Sequence, residues 1–229
     1  MVVEVGNEIR EEINQRVRTL MQICKDAHIE GLQEMVPTYR SLLIYYDPAV
    51  VTFSALKEKI LGLLESTSEE DLPPPRLVHI PTLYGGEMGP DLEDVAEYNN
   101  LPVKEVIRIH TSTNYLVYML GFTPGFCYLG GMSKKIAMPR LENPRVKIPA
   151  GSVAIAGTQT GIYPVDSPGG WRLIGRTPMK IYDPYAQEPI LLRAGDYLKF
   201  DSISGEEYQD ILTKAAESRY RPTIKEVVK

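Results

Sequence analysis

The sequence predicts an α+β protein with two domains, and three observations support that class. The chain has 229 residues, enough for one large or two modest apolar cores. Apolar runs in its first 80 residues alternate between strand and helix spacing. Between residues 121 and 178 lie 10 of the 18 glycines and 7 of the 18 prolines, which is typical of many short strands joined by turns. We therefore place one domain at 1–82 and a second at 83–229.

The first half of the N-terminal domain predicts a strand, a helix and a hairpin. "VVEV" is typical of a short strand, and apolar residues recur every three or four positions from Ile9 to Cys24, behind a possible Asn7 cap. Two β-rich runs, 32–36 and 41–46, are separated by a Pro-Thr turn and predict paired strands.

The second half completes a known motif. Helical spacing returns between Phe53 and Leu64, "ESTSEEDLPPP" predicts a loop, and "RLVHI" predicts a closing strand. The resulting order, βαββαβ, is the split βαβ of ferredoxin-like domains, whose two helices cover one face of a four-stranded sheet.

The second domain predicts a closed barrel or a sandwich. Short β-rich runs extend from about Tyr115 to residue 203, and "GEEYQDILTKAAESRY" then predicts a final helix. Before them, two short helical patterns at 91–111 resemble a helix-turn-helix. Five acidic residues against two basic ones between Asp91 and Arg108 would repel phosphate, so we favour a packed pair of helices.

Composition excludes several classes of function. The formal net charge of -5 disfavours a sequence-independent nucleic-acid binder. No apolar run reaches the roughly 18 residues of a membrane helix, and "MVVEVGNEIREE" lacks the features of a secretory signal, so we expect a cytoplasmic protein. The two cysteines form no CxxC motif, and the three histidines are dispersed, so we expect no metal site.

Three arginines are candidates for anion binding. Arg140 and Arg145 each follow a proline, and Arg176 lies in a predicted strand. Guanidinium groups suit carboxylate, phosphate or bicarbonate. Alternatively, they pair with acidic residues, of which Glu142, Asp166 and Asp183 are nearby in sequence.

An aromatic pocket is the second candidate. "GFTPGFCYLGG" and "SPGGW" combine aromatic side chains with glycines that permit close approach, and they predict a recess between Phe126, Tyr128 and Trp171. His110 and Gln159 would supply polar groups. The alternative is a set of tight barrel turns around an aromatic core, and Cys127 fits a small buried hydrophobe better than a nucleophile.

These motifs resemble a known family. "HTSTNYLVYMLGFTPGFCYLGG" and "PRLENPRVKIPAGSVAIAGTQTGIYPVDSPGGWRLIGRTP" are similar to bacterial KipI-type proteins, also described as allophanate hydrolase subunit 1, carboxyltransferase subdomain C and D, and the B subunit of 5-oxoprolinase. "MVPTYRSLLIYYDP" and "GPDLEDVAEYNNLPVKEVIRIH" extend the resemblance over nearly the whole chain. It implies a ferredoxin-like N-terminal domain followed by a cyclophilin-like β-barrel.

The resemblance implies three possible functions. The first is the B subunit of an ATP-dependent 5-oxoprolinase, which opens 5-oxoproline to glutamate with an A subunit and a C subunit of the carboxyltransferase A and B type. ATP would be shared with those partners, since no GxxxxGK[ST] motif occurs in this chain. The second is an inhibitor that binds a sporulation histidine kinase. The third is a carboxyltransferase subunit of the allophanate hydrolase or urea carboxylase type.

The expected site residues follow from the pocket and the resemblance. We expect catalytic roles for His110, Arg140 and Arg145. The expected substrate-binding residues are Gly125, Phe126, Tyr128, Pro149, Gly151, Gly157, Gln159, Tyr163, Gly169, Gly170, Trp171 and Arg176.

Overall fold

The computed structural model describes residues 1–65, 74–217 and 219–227. Helices and strands are both abundant, so the predicted α+β class is confirmed. The chain divides into two units, Met1–Pro74 and Pro75–Lys229, each with its own core. Most of the predicted acidic loop, 66–73, lies outside the described residues.

The first unit combines a three-stranded antiparallel sheet with two helices. Its elements are β1 (Val2–Glu4), α1 (Glu11–Asp26), β2 (Leu32–Pro37), β3 (Ser41–Tyr46) and α2 (Phe53–Glu65). Strand β3 lies between β1 and β2 and pairs with both, which confirms the predicted hairpin. The core consists of Val17, Leu20, Cys24, Ile29, Leu42, Ile44, Leu56 and Ile60.

Helix α1 begins later than the apolar spacing predicts. Its N-cap position is Arg10 rather than Asn7, and Ile9 is exposed. Two acidic residues, Glu11 and Glu12, occupy the first turn, where the helix dipole favours negative charge. The acidic residues of the first turn therefore indicate the observed start of α1 better than the possible Asn7 cap does.

The strand that follows the first unit differs in its partners from the prediction. β4 (Arg76–Tyr84) contains "RLVHI", which we expected to close the first sheet, but it belongs to the second unit. Residues 77–82 of β4 pair in parallel with 197–202. The side chains of Val78 and Ile80 are consequently buried in the second core.

The second unit contains the remaining elements. They are α3 (Leu92–Tyr98), α4 (Val103–Thr111), β5 (Tyr115–Leu120), β6 (Cys127–Gly130), β7 (Arg145–Ile148), β8 (Ser152–Ala156), β9 (Gln159–Ile162), β10 (Ser167–Gly169), β11 (Arg172–Arg176), β12 (Tyr197–Ser202), α5 (Gly205–Ala216) and β13 (Ile224–Glu226). The main sheet has the order β6-β5-β12-β4-β11-β8-β9, and β13 pairs with β4. Its end strands β6 and β9 lie against each other, so the sheet is a nearly closed barrel.

Helices α3 and α4 pack on this sheet as the charge argument predicts. Leu92 and Val95 of α3 and Val106 and Ile109 of α4 all join the barrel core. A separate two-stranded sheet, β10-β7, lies outside the main one. That small sheet and the end of the barrel at β8 and β9 supply the candidate site.

Candidate functional site

An open aromatic hollow lies beside strand β9. Its volume is about 220 Å³. The residues that line it are Phe122, Phe126, Tyr128, Arg140, Gln159, Tyr163, Pro168, Gly169, Gly170 and Trp171. Eight of these ten were expected from the sequence as site residues, so the structure brings most of the predicted recess together.

Strand alternation places this aromatic hollow outside the barrel. Successive side chains of a strand point to opposite faces. In β8, Val153 and Ile155 join the barrel core, whereas Ala154 and Ala156 join a second apolar cluster with Phe126. The aromatic hollow therefore has its own wall, built on the outer face of the strands.

Phe126 is the centre of that wall. Its ring makes edge contacts with Tyr128, Tyr163 and Trp171, with centroids 5.3, 5.9 and 5.7 Å away. Each such contact contributes about 0.5–1.5 kcal/mol beyond buried area. Since Phe126 is 4% and Trp171 8% exposed, the floor is packed before any ligand arrives.

Glycine at position 169 keeps the hollow open. A Cβ there would lie 2.4 Å from the Tyr163 hydroxyl and 2.9 Å from Ile148 Cδ1. Gly161 is similarly close to the floor, with Trp171 3.2 Å from a Cβ at that position. Small residues are therefore required on this side because the aromatic rings occupy the space that a side chain would fill.

Arg140 is the cation of the aromatic hollow. Its guanidinium carbon lies 5.9 Å from the centre of the Trp171 ring, within the range of a cation–π contact. Within the described part of the chain it makes no ion pair and no hydrogen bond. An exposed arginine held over an indole, without a carboxylate partner, can receive an anion at little desolvation cost.

Arg145 has a different position from Arg140. Its two terminal nitrogens donate to the carboxylate of Asp91 at 2.7 and 2.9 Å, and this carboxylate also accepts a 2.6 Å bond from the Leu173 amide. Asp91 is 4% exposed. The pair ties β7 to β11 and to the start of α3, and Arg145 does not line the aromatic hollow. The acidic partner, Asp91, is distant in sequence from those that we considered.

His110 lies in the barrel core rather than in the aromatic hollow. It is completely buried, with Nδ1 2.7 Å from the Tyr84 hydroxyl and Nε2 2.8 Å from the Thr160 hydroxyl. Burial lowers the pKa of His110 from 6.5 to about 3. The neutral imidazole therefore has a hydrogen-bond partner at each nitrogen and packs against the Phe200 ring, whose centre is 4.4 Å away.

The remaining expected residues form turns or line a second hollow. The Pro149 carbonyl accepts hydrogen bonds from Ser152, and Gly157 has a φ of 57° at the turn between β8 and β9. Gly151 and Arg176 line a separate hollow of about 380 Å³, which we call the second hollow and which also includes Pro164, Lys180, Tyr182 and Tyr208.

Gly125 stands between the two hollows. Its φ is 81°, and a Cβ would lie 3.1 Å from the Tyr182 side chain and 3.3 Å from Pro164. Its neighbour Phe126 lines the aromatic hollow, whereas Tyr182 and Pro164 line the second. This turn therefore separates two hollows whose residues we had expected to form a single site.

Two residues of the aromatic hollow were missed in the sequence. Phe122 is 71% exposed and has a φ of 70°, which is unusual for a bulky residue. Its ring makes an edge contact with Phe126 at 5.7 Å. The position of Phe122 beside the first glycine of "GFTPGF" could have identified it as a pocket residue. For Pro168, the only such indication was its position beside the glycine pair.

Neither cysteine lines the aromatic hollow. Both cysteines are buried and free, and burial raises the pKa of Cys127 to about 12, as expected of a packed thiol. Within residues 1–65, 74–217 and 219–227, no cluster of three His, Cys, Asp or Glu side chains could hold a metal ion. Over the same residues, no helix has the length and apolar character needed to cross a membrane.

Comparisons with known proteins agree with the resemblance noted in the motifs. The B subunit of 5-oxoprolinase from Bacillus subtilis (strain 168) is 46% identical over 218 residues, covering 91% of both chains. The crystal structure of TTHA0988 is 37% identical, with a TM-score of 0.80; the match covers 90% of this chain and 40% of that longer chain. Urea carboxylase of Kluyveromyces lactis, at 21% identity and a TM-score of 0.76, shares the fold over 99% of this chain and 23% of its own.

The family model described as carboxyltransferase domain, subdomain C and D, matches residues 1–192. This match covers both units up to the segment before β12. It includes every residue of the aromatic hollow. The chain therefore belongs to the carboxyltransferase subdomain C and D family, which includes the KipI-type proteins.

Proposed function

We propose that this chain is the B subunit of a 5-oxoprolinase and that the aromatic hollow binds 5-oxoproline. The high identity to the Bacillus subtilis B subunit over nearly the full length of both chains supports the assignment. The proposed partners are an A subunit and a C subunit of the carboxyltransferase A and B type. ATP would be bound together with those two partners, and the complex would be a hydrolase.

The observation that carries the proposed site is the position of Arg140. 5-Oxoproline is a small flat lactam with one carboxylate. Arg140 offers a guanidinium that has no ion pair within the described part of the chain, Gln159 offers an amide for the lactam group, and the Phe126 and Trp171 rings offer an apolar floor. Each part of the substrate thereby has a chemically matched group.

The size of the aromatic hollow fits a small substrate. Pockets for drug-sized ligands measure about 300–1,000 Å³. The aromatic hollow, at about 220 Å³, is smaller and open, so it suits a single small ring with its carboxylate toward Arg140. An open site of this kind requires a partner surface to exclude water, which is consistent with one member of a complex rather than an enzyme active alone.

We also propose the finer fold relations that the resemblance implies. In the first unit, β3 lies between β1 and β2, as in a split βαβ, so we assign this unit to the ferredoxin-like class. Its fourth strand position is not filled by β4. We assign the nearly closed barrel of the second unit to the cyclophilin-like class.

The test is reconstitution of the complex with Arg140 variants. The chain is combined with its A and C partners, and ATP-dependent glutamate formation from 5-oxoproline is measured at varied substrate concentration. Hydrogen bonds to charged groups contribute about 1.5–3 kcal/mol, so Arg140→Ala should raise KM by roughly 10- to 100-fold. Arg140→Lys should recover part of this loss because it keeps the charge without the fork.

Arg108→Ala is the matched control. Arg108 is an exposed arginine that pairs with Glu105 on α4, away from the aromatic hollow, and its replacement should leave KM unchanged. Because Arg140 has no ion pair in the described part of the chain, its variant should lose no more than the contribution of an exposed cation–π contact, about 0.5–1 kcal/mol. Full glutamate production by the A and C partners without this chain would contradict the assignment.

A further inference from the structure

The second hollow is large enough for a ligand and separate from the aromatic hollow. Its volume of about 380 Å³ falls within the range of about 300–1,000 Å³ that ligand pockets occupy. It lies between the end of β11, the segment 177–185 and helix α5, and it shares no lining residue with the aromatic hollow. Nothing in the proposed 5-oxoproline site uses it.

Arg176 gives the second hollow a positioned positive charge. Its Nε donates to the Ala150 carbonyl at 2.9 Å, which fixes one edge of the guanidinium. No carboxylate of the described residues lies within 4 Å of it; Asp166 acts on it at longer range, but this carboxylate is paired with Lys147. At Gly151, next to the Arg176 stem, a Cβ would lie 2.4 Å from the Thr177 carbonyl, so the backbone crossing that supports this arginine requires glycine.

Tyr208 adds a hydrogen-bond donor to the lining of the second hollow. Helix α5 begins with a capping box between Ser204 and Glu207, which fixes the first turn that carries this tyrosine. The residue is only 3% exposed, yet it lines the second hollow, and within the described part of the chain its hydroxyl has no hydrogen-bond partner. Burial raises the pKa of Tyr208, so the hydroxyl keeps its proton.

The other walls are apolar or charge-balanced. Lys180 pairs with Asp183 at 3.1 Å, which leaves Arg176 as the excess charge of the second hollow. Tyr182 supplies an aromatic surface, and Tyr185, 96% exposed, stands at the rim. A cation and a tyrosine hydroxyl in one lining, with rings and prolines around them, match a charged head group on an apolar body.

We propose that the second hollow binds a small organic anion, an apolar or aromatic body that bears one carboxylate or phosphate, through Arg176 and Tyr208. The guanidinium balances the charge of the anion, and the tyrosine hydroxyl donates to one of its oxygens. The apolar body lies against Tyr182 and the neighbouring prolines. This site is independent of the proposed 5-oxoproline site.

Protein-observed NMR on the isotopically labelled full chain tests the proposal. The probes are benzoate and phenyl phosphate, which separate carboxylate from phosphate preference, and neutral benzamide. We expect saturable shifts at the amides of Gly151, Thr177 and Lys180 for at least one anion and none for benzamide. Absence of saturable binding below about 10 mM for both anions would overturn the proposal.

Two variants locate the anion. Arg176→Ala should weaken binding by at least tenfold, and Tyr208→Phe, which keeps the buried ring and removes only the hydroxyl, should weaken it by about tenfold. Arg108→Ala and Arg140→Ala should leave it unchanged. If Tyr208→Phe and Arg176→Ala bound the anions like wild type, or if Arg140→Ala abolished binding, the site would be elsewhere. The Arg140 result also separates this proposal from the 5-oxoproline assignment, since either can fail alone.

Discussion

Replacing Arg145 with alanine should destabilise the second unit by about 3 kcal/mol. The change leaves the Asp91 carboxylate, whose side chain is 6% exposed, without its two charge-assisted hydrogen bonds. Breaking a buried ion pair costs about 3–5 kcal/mol, and the 30% exposure of Arg145 places this pair at the lower end. The Leu173 amide, 2.6 Å from the carboxylate, would then be its sole remaining partner among these three contacts.

A double-mutant cycle measures the pair directly. Asp91→Ala should cost more than Arg145→Ala, because it strands both the guanidinium and the buried Leu173 amide. The double variant should be less destabilised than the sum of the two, with a coupling of about 1–3 kcal/mol. Urea unfolding gives these values, provided that the denaturant slope stays that of wild type.

The same cycle separates a structural role from the catalytic role that the sequence suggested. If the arginine acts through the fold, glutamate formation by the folded Arg145→Ala protein should fall no further than its loss of stability explains. An Arg145→Ala variant with a wild-type unfolding midpoint, no coupling to Asp91 and no glutamate formation would refute this reasoning. That result would indicate that Arg145 contacts the substrate or a partner instead of stabilising the fold.

Three further predictions concern the core and the hollows. Phe122 has a φ of 70°, which glycine adopts more readily than alanine does. In urea unfolding, the Phe122→Gly variant should therefore be about 1 kcal/mol more stable than the Phe122→Ala variant. Gly169→Ala should destabilise the protein by about 1–3 kcal/mol and raise the KM for 5-oxoproline, because the new Cβ would overlap the Tyr163 hydroxyl. Gly170→Ala is the control: its Cβ would have its nearest contact at 3.5 Å, so stability should change by less than about 0.5 kcal/mol. Because the folded pKa of His110, about 3, lies below the unfolded 6.5, only the unfolded state takes up this proton as pH falls. Wild type should therefore lose about 2–3 kcal/mol relative to His110→Gln between pH 6.5 and 4.5; parallel pH profiles of stability would contradict this.

Local periodicity predicted the elements of the first unit well. The hairpin of β2 and β3 and both helices depend on contacts between near neighbours in sequence, which the spacing of apolar residues encodes. The partner of β4 could not be read in this way. Its pairing with β12 joins residues about 120 positions apart, and the apolar alternation of "RLVHI" suits either sheet equally well.

The aromatic residues were easier to place than the arginines. Phe126, Tyr128 and Trp171 occur in glycine-rich segments of the sequence, and they share the aromatic hollow as predicted. The three arginines occupy different positions in the structure, although all three were expected to bind an anion. Among the described residues Arg140 has no ion pair, Arg145 pairs with Asp91, and Arg176 lines the second hollow, because the nearest acidic group in space is set by the fold rather than by sequence distance.

The two faces of strand β9 separate His110 from the aromatic hollow. Thr160 of β9 faces the barrel core and contacts His110, whereas its neighbours Gln159 and Gly161 face the aromatic cluster. A histidine that approaches β9 from the core side therefore meets the wrong face for proton transfer to a ligand in the aromatic hollow. If the aromatic hollow binds 5-oxoproline as proposed, the proton chemistry of lactam opening comes from groups that face this hollow from outside the barrel. In the proposed complex, the open side of the hollow is where a partner protein would supply them.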